Sequence, residues 1–163
     1  MLRATTTSTD TAIVPFDIIV LAHDERHLRR KVLTLQHGDE VLVDLPKPVI
    51  LVHGDRLVLE DGRHVEVIAA EEALLEVTAP LGRLIEIAWH VGNRHVTAQI
   101  EPGRILVARD HVVRDMLLGL GASVRDVSEP FEPARGAYHR HGDGPVAHGH
   151  LHTSNHLQPD RSR

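Results

Sequence analysis

The spacing of apolar residues changes near residue 74, and that change limits what the chain can fold into. Before it, short β-branched runs alternate with glycine-bearing turns. Val32, Leu33 and Leu35 precede His37-Gly38-Asp39. Val41-Leu42-Val43 leads into Pro46 and Pro48, and Val49-Ile50-Leu51-Val52 follows. His53-Gly54-Asp55 turns the chain into Leu57-Val58-Leu59, and Asp61-Gly62 turns it into Val65-Glu66-Val67-Ile68. Short strands recurring about every 8–12 residues predict a small all-β sandwich or barrel domain over residues 1–73. Residues 1–12 are polar and are expected to fray.

From residue 74 the pattern mixes two periods. Leu74-Leu75-Glu76-Val77 is strand-like. Thr78 suits an N-cap and Pro80 a first helical turn. Leu84, Ile87, Ala88 and Val91 then form a helical apolar stripe that Gly92 is expected to stop. Val96, Ala98 and Ile100 alternate, as do Ile105 and Val107 after the turn at Pro102-Gly103. Asp110 caps a second helix carrying Val113, Met116, Leu117 and Leu120, stopped by Gly121, and Val124 and Val127 make a last strand. The order β-α-β-β-α-β predicts a ferredoxin-like α+β domain over residues 74–135, with the boundary at about residues 70–78. Residues 136–163 hold too few apolar side chains to offset the entropy of ordering them, so a flexible histidine-rich tail is expected.

Composition narrows the chemistry. Cysteine is absent, which excludes disulfides, thiolate metal sites and a cysteine nucleophile. The net charge of −5 argues against nucleic-acid binding. Residues 1–80 hold 14 acids and 8 bases, whereas residues 81–163 hold 9 acids and 10 bases. No apolar run approaches the ~18–20 residues that span a membrane, and Pro15 and Asp17 interrupt any signal-peptide pattern, so the expected location is the cytoplasm. No H-E-x-x-H, G-x-S-x-G, P-loop or G-x-G-x-x-G motif occurs, and no enzyme is expected.

Histidine is the residue type that carries chemistry here. His139, His141, His148, His150, His152 and His156 crowd the tail, several at His-x-His spacing. Neutral imidazole is the commonest protein ligand for zinc, copper and nickel, and a flexible segment can wrap several around one ion. The alternative is a solvated polar tail. His95, in Trp89-His90-Val91-Gly92-Asn93-Arg94-His95, sits at a junction between helix and strand; one histidine cannot complete a metal site, but two related by a dimer axis can contribute a pair. His90 fits an ordinary helix C-terminus. His111 beside Asp110 is either a surface residue or an auxiliary ligand. His23, His27, His37, His53 and His64 read as turn and surface residues. Glu71-Glu72 reads as solvated, and Arg29-Arg30-Lys31 as a solvated strand edge or a docking patch for an acidic partner.

The segment 89–95 resembles the H-L-G-N-R-H segment of the urease accessory nickel chaperones, the UreE family. Gln99-Ile100, Pro102-Gly103, Asp110-His111-Val112, Asp115-Met116-Leu117, Pro130-Phe131-Glu132-Pro133 and Gly136-Ala137-Tyr138 keep the family's order, and Gly54-Asp55-Arg56-Leu57 with Asp61-Gly62 resembles its first-domain hairpins. The resemblance implies a homodimer with a peptide-binding N-terminal β domain and a ferredoxin-like domain that carries the metal site. It implies that His95 is the interfacial histidine. His111 matches a stretch in which members often carry further histidines, while Arg109 stands where some have another. The implied function is Ni(II) delivery for urease maturation, through a urease accessory GTPase and the apo-urease complex. Imidazole and oxygen ligands would also take Zn(II) or Cu(II). A histidine-rich nickel or zinc store without a delivery partner is the alternative, and a metal-dependent hydrolase is a third reading that lacks a candidate base near His95.

Overall fold

The computed structural model describes residues 1–135 of the 163. Its first half is one six-stranded sheet rather than the two facing sheets of a sandwich. The strands are β1 (Leu2–Ser8), β2 (Asp17–Leu21), β3 (His27–Thr34), β4 (Glu40–Ile50), β5 (Arg56–Leu59) and β6 (His64–Ala69), in the order β2-β6-β5-β1-β4-β3. The sheet curls into a half-barrel around Val41, Val43, Leu57, Val65 and Val67, all fully buried. The tip of the β3–β4 hairpin reaches the opposite edge: Gln36 N donates to Ile18 O at 3.0 Å, and His37 Nδ1 lies 2.8 Å from Asp17 Oδ1. Burial raises the Asp17 carboxyl, but the His37 ring and the backbone N–H groups of Ile18 and His37 outweigh it and hold it below the usual carboxylate range.

Two expectations fail in this half. Residues 2–8 do not fray; β1 lies inside the sheet, parallel to β4 and antiparallel to β5. Threonine suits a strand, and Ala4 is fully buried, but little in a threonine-rich stretch announces burial. The residues around Pro46 and Pro48 do not separate two strands either. β4 runs through both, because its pairing with β1 ends at Val43 and its register against β3 jumps from Asp44–Arg30 to Val49–Leu28. Prolines are tolerated in a strand where no ladder bond is required of them.

The second half is a four-stranded antiparallel sheet, β7 (Glu71–Thr78), β8 (Ala98–Glu101), β9 (Arg104–Ala108) and β10 (Ser123–Pro130), in the order β10-β7-β9-β8. Helices α1 (Leu81–Asn93) and α2 (His111–Gly119) pack on one face, where Leu75, Val77, Ile105 and Val107 meet Leu84, Ile87, Val91 and Leu117. The alternate strand residues Leu74 and Leu106 point to the other face, where Phe131 covers them. Asp110 caps α2 as expected, its carboxylate accepting from Val113 N at 2.8 Å. Thr78 does not cap α1: it ends β7, and Pro80 stands at the N-cap without a side-chain cap.

An ion network spans four chain segments of the second half. Arg104 donates to Glu76 (2.9 Å), Glu101 (2.6 Å) and Glu129 (2.9 Å), and Arg125 adds a bond to Glu76 at 2.7 Å. The Arg104 bond is the main cause holding Glu76 and Glu101 below their ordinary range. Carboxylates so held contribute stability that is present above their unfolded pKa of about 4.3 and lost as pH falls through the lower folded values. Arg104→Ala should therefore destabilise by about 1–2 kcal/mol at pH 7, the pairs being partly exposed. The gap from wild type should close toward pH 3. Urea midpoints at the two pH values check this, and a gap that is the same at both pH values contradicts it.

Candidate metal centre

α1 ends in a turn that places a histidine in a sparsely populated backbone conformation. His95 N donates to Gly92 O at 3.0 Å and Val96 N to Val91 O at 3.1 Å, the paired bonds of a Schellman motif. α2 closes the same way, with Gly121 N to Leu118 O at 2.9 Å and Ala122 N to Leu117 O at 3.1 Å. The residue between the bonds takes a left-handed φ in both turns: +79° for Gly121, and +56° for His95. Among the described residues His95 is the only non-glycine with positive φ. Gly92 does not stop the helix; it lies within α1, which runs on to Asn93. Histidine is among the residues enriched in this conformation, so a clue was legible, but glycine fits it better. Such outliers gather at functional sites. The side chain of His95 is exposed.

The segment that leads into the tail is tied beside this turn. Beyond β10 the chain crosses the open face of the second sheet from one edge strand toward the other. Phe131 is fully buried there, Glu132 N donates to Gln99 Oε1 at 2.7 Å, and Ala134 N donates to Ala98 O at 2.8 Å. Ala98 is three residues beyond His95. The first half braces the same segment. Buried Arg26 donates to the Phe131 carbonyl and, at 3.1 Å, to Glu132 Oε1, and His23 Nδ1 sits 2.8 Å from Glu72 Oε2. Sequence reasoning missed Arg26 and Glu132 and left Glu72 as solvated; their partners lie 49 to 106 residues away along the chain.

The remaining predicted ligands divide. His111 is the exposed first residue of α2. Its neighbour Asp110 is engaged in the cap, and Arg109 pairs with Asp126 at 3.1 Å. His139, His141, His148, His150, His152 and His156 lie outside the described residues. Among the described residues no three His, Asp or Glu side chains gather as a metal cluster. His95 therefore presents one exposed imidazole on a fixed turn, and among the described residues no cluster of three potential ligands forms around it.

α1 also carries more apolar surface than the core uses. Leu81, Ile85 and Trp89, at i, i+4 and i+8, are 72%, 63% and 63% exposed. They form a stripe beside the buried one and run toward the turn that holds His95. Among the described residues no helix is long and apolar enough to cross a membrane.

Comparison with known proteins places this arrangement. The model of the UreE urease accessory protein N-terminal domain matches residues 2–70, and that of its C-terminal domain matches residues 72–156. The urease accessory protein UreE of Rhizobium rhizogenes is 57% identical over 140 residues, covering 85% of this chain and 80% of the relative. That of Agrobacterium fabrum is 58% identical over 139 residues, covering 85% and 83%. That of Mesorhizobium japonicum is 64% identical over 120 residues, covering 73% and 61%. The chain belongs to the UreE family of urease accessory proteins, which are not themselves enzymes.

Proposed function

We propose that the chain is a cytoplasmic nickel metallochaperone for urease maturation. It works as a homodimer in which His95 of both subunits forms the central Ni(II) site. The tail histidines collect the ion, complete its shell and pass it on to a urease accessory GTPase bound to apo-urease. The units are a partner-binding β domain (1–73), a ferredoxin-like metal-binding and dimerisation domain (74–135) and a histidine-rich tail (136–163). The strand order β10-β7-β9-β8 supports the ferredoxin-like description, and the Leu81-Ile85-Trp89 stripe supports a dimer face beside His95.

The observation that carries the reading is the Ala134–Ala98 hydrogen bond. It roots the tail within three residues of His95, about 10 Å of extended chain. His139 follows Ala134 by five residues, about 17 Å at full extension, so the first tail imidazole can reach His95. His111 and the other tail histidines are further candidate ligands. Imidazole and oxygen donors suit Ni(II), with Zn(II) and Cu(II) as competitors.

Calorimetric Ni(II) titration with oligomer mass monitored tests this on the full chain, a truncation after Tyr138, and His95→Ala. The truncation should keep one tight ion per dimer, and His95→Ala should lose it. Binding that vanishes with the tail and ignores His95 would favour a nickel or zinc store.

A further inference from the structure

We propose that the cleft between β1 and β4 docks an extended acidic segment of a partner protein. The cleft follows from the way the two strands part. They pair in parallel only from Leu2–Val41 to Ala4–Val43. Beyond Ala4, β1 pairs β5 alone. On β4 the register jump leaves Leu45, Pro46, Lys47 and Pro48 opposite Arg29 of β3, four residues against one. The two prolines have no N–H with which to resume a ladder. A cavity of ≈470 Å³ opens there, within the range of ligand clefts.

The lining fixes the chemistry of the occupant. Val49, Ile50 and Pro48 provide apolar wall, and Thr7 comes from the half-paired end of β1. Lys47, Arg135 and His27 supply the charged and titratable groups, and no carboxylate lines the cavity among the described residues. The adjoining edge strand continues the cationic surface with Arg29, Arg30 and Lys31, all exposed; Arg30 and Lys31 are only partly offset by Asp44 at 3.8 Å and Glu25 at 3.7 Å. Of the eight Lys and Arg residues of the acidic first half, Lys47 thus lines the cleft and Arg29, Arg30 and Lys31 lie on the adjoining strand β3. An extended backbone suits the one-sided β1 edge, by the strand addition through which sheet edges take peptides. Alternate acidic side chains then meet Lys47 and Arg135.

The position links docking to metal transfer. Arg135 Nη2 donates to Ile50 O at 3.0 Å, so the chain passes the cleft wall immediately before residue 136, where the histidine-rich segment begins. A partner seated here lies at the root of that segment. The inference rests on the partner-binding reading of the first half, but its test uses metal-free protein, so failure of the nickel reading and failure of this one are separable.

The probe is a fluorescent, end-capped (Glu-Val)₄ peptide, followed by anisotropy against the full chain in EDTA at low and moderate salt. The peptide should bind, and Lys47→Glu and Arg135→Glu should each weaken it about tenfold or more. Arg83→Glu, on α1, should leave the affinity within twofold, and (Lys-Val)₄ should not bind. Absence of binding overturns the proposal, as does equal loss in Arg83→Glu, which marks unspecific attraction. Displacement by succinate at the peptide's own concentration would assign the cleft to a small dicarboxylate. Binding seen only after truncation beyond Tyr138 would assign it to the chain's own tail. Circular dichroism and the urea midpoint of each variant separate lost binding from lost fold.

Discussion

Metal-free His95→Gly protein should be more stable than wild type by about 1 kcal/mol while its dimer loses tight Ni(II) binding by a hundredfold or more. The two effects have separate causes. At φ +56° a Cβ is strained and glycine is not, so glycine relieves the turn. The same change removes the imidazole on which the proposed central site depends. His95→Ala should lose the metal equally without the gain, since alanine keeps the Cβ. Urea denaturation in EDTA gives the first quantity and calorimetric titration the second. A stabilised glycine variant that still binds Ni(II) tightly would reduce His95 to a turn residue. A glycine variant less stable than alanine would remove the strain argument. The expected pattern is a stability–function trade-off: the sister turn carries Gly121 at the equivalent position, so the fold itself does not call for histidine.

Arg26→Ala should cost about 2–4 kcal/mol, the largest stability loss among the substitutions considered. Arg26 is 3% exposed and is the inner strut between the first half and the segment leading to the tail. Removing it leaves the Phe131 carbonyl without this donor, takes the counter-charge from Glu132, and opens a void. Arg26→Lys should recover little, because one ammonium does not reproduce a planar fork with two acceptors. A urea midpoint that implies a change under 1 kcal/mol would mean that His53 N, which also donates to Glu132 at 2.6 Å, and the His23–Glu72 pair hold the junction without Arg26. Nickel affinity of the refolded variant should then report how far the segment's anchorage matters to His95.

What the sequence alone determined is local. The second half was legible element by element, because Leu84, Ile87, Ala88 and Val91 carry a helical period and Asp110, Gly103 and Gly121 punctuate it within a few residues. Gly38, Gly54 and Gly62 mark their turns for the same reason, each with positive φ. His95 and the tail histidines stood out by residue type and spacing, and the ordered motifs carried the family.

Tertiary structure decided the rest, because it depends on residues far apart in the chain. β1 became a strand inside the sheet through pairing with β4 and β5, which nothing in Leu2–Ser8 specifies. β4 ran through two prolines because its neighbours do not ask them for a ladder bond. Arg26, Glu72 and Glu132 looked like surface charge until the fold brought their partners across 49 to 106 residues. The left-handed turn of His95, and the bond that roots the tail beside it, come from where α1 ends against β8. Periodicity reports which face of an element is apolar; it does not report which other element that face, or its charged neighbours, will meet.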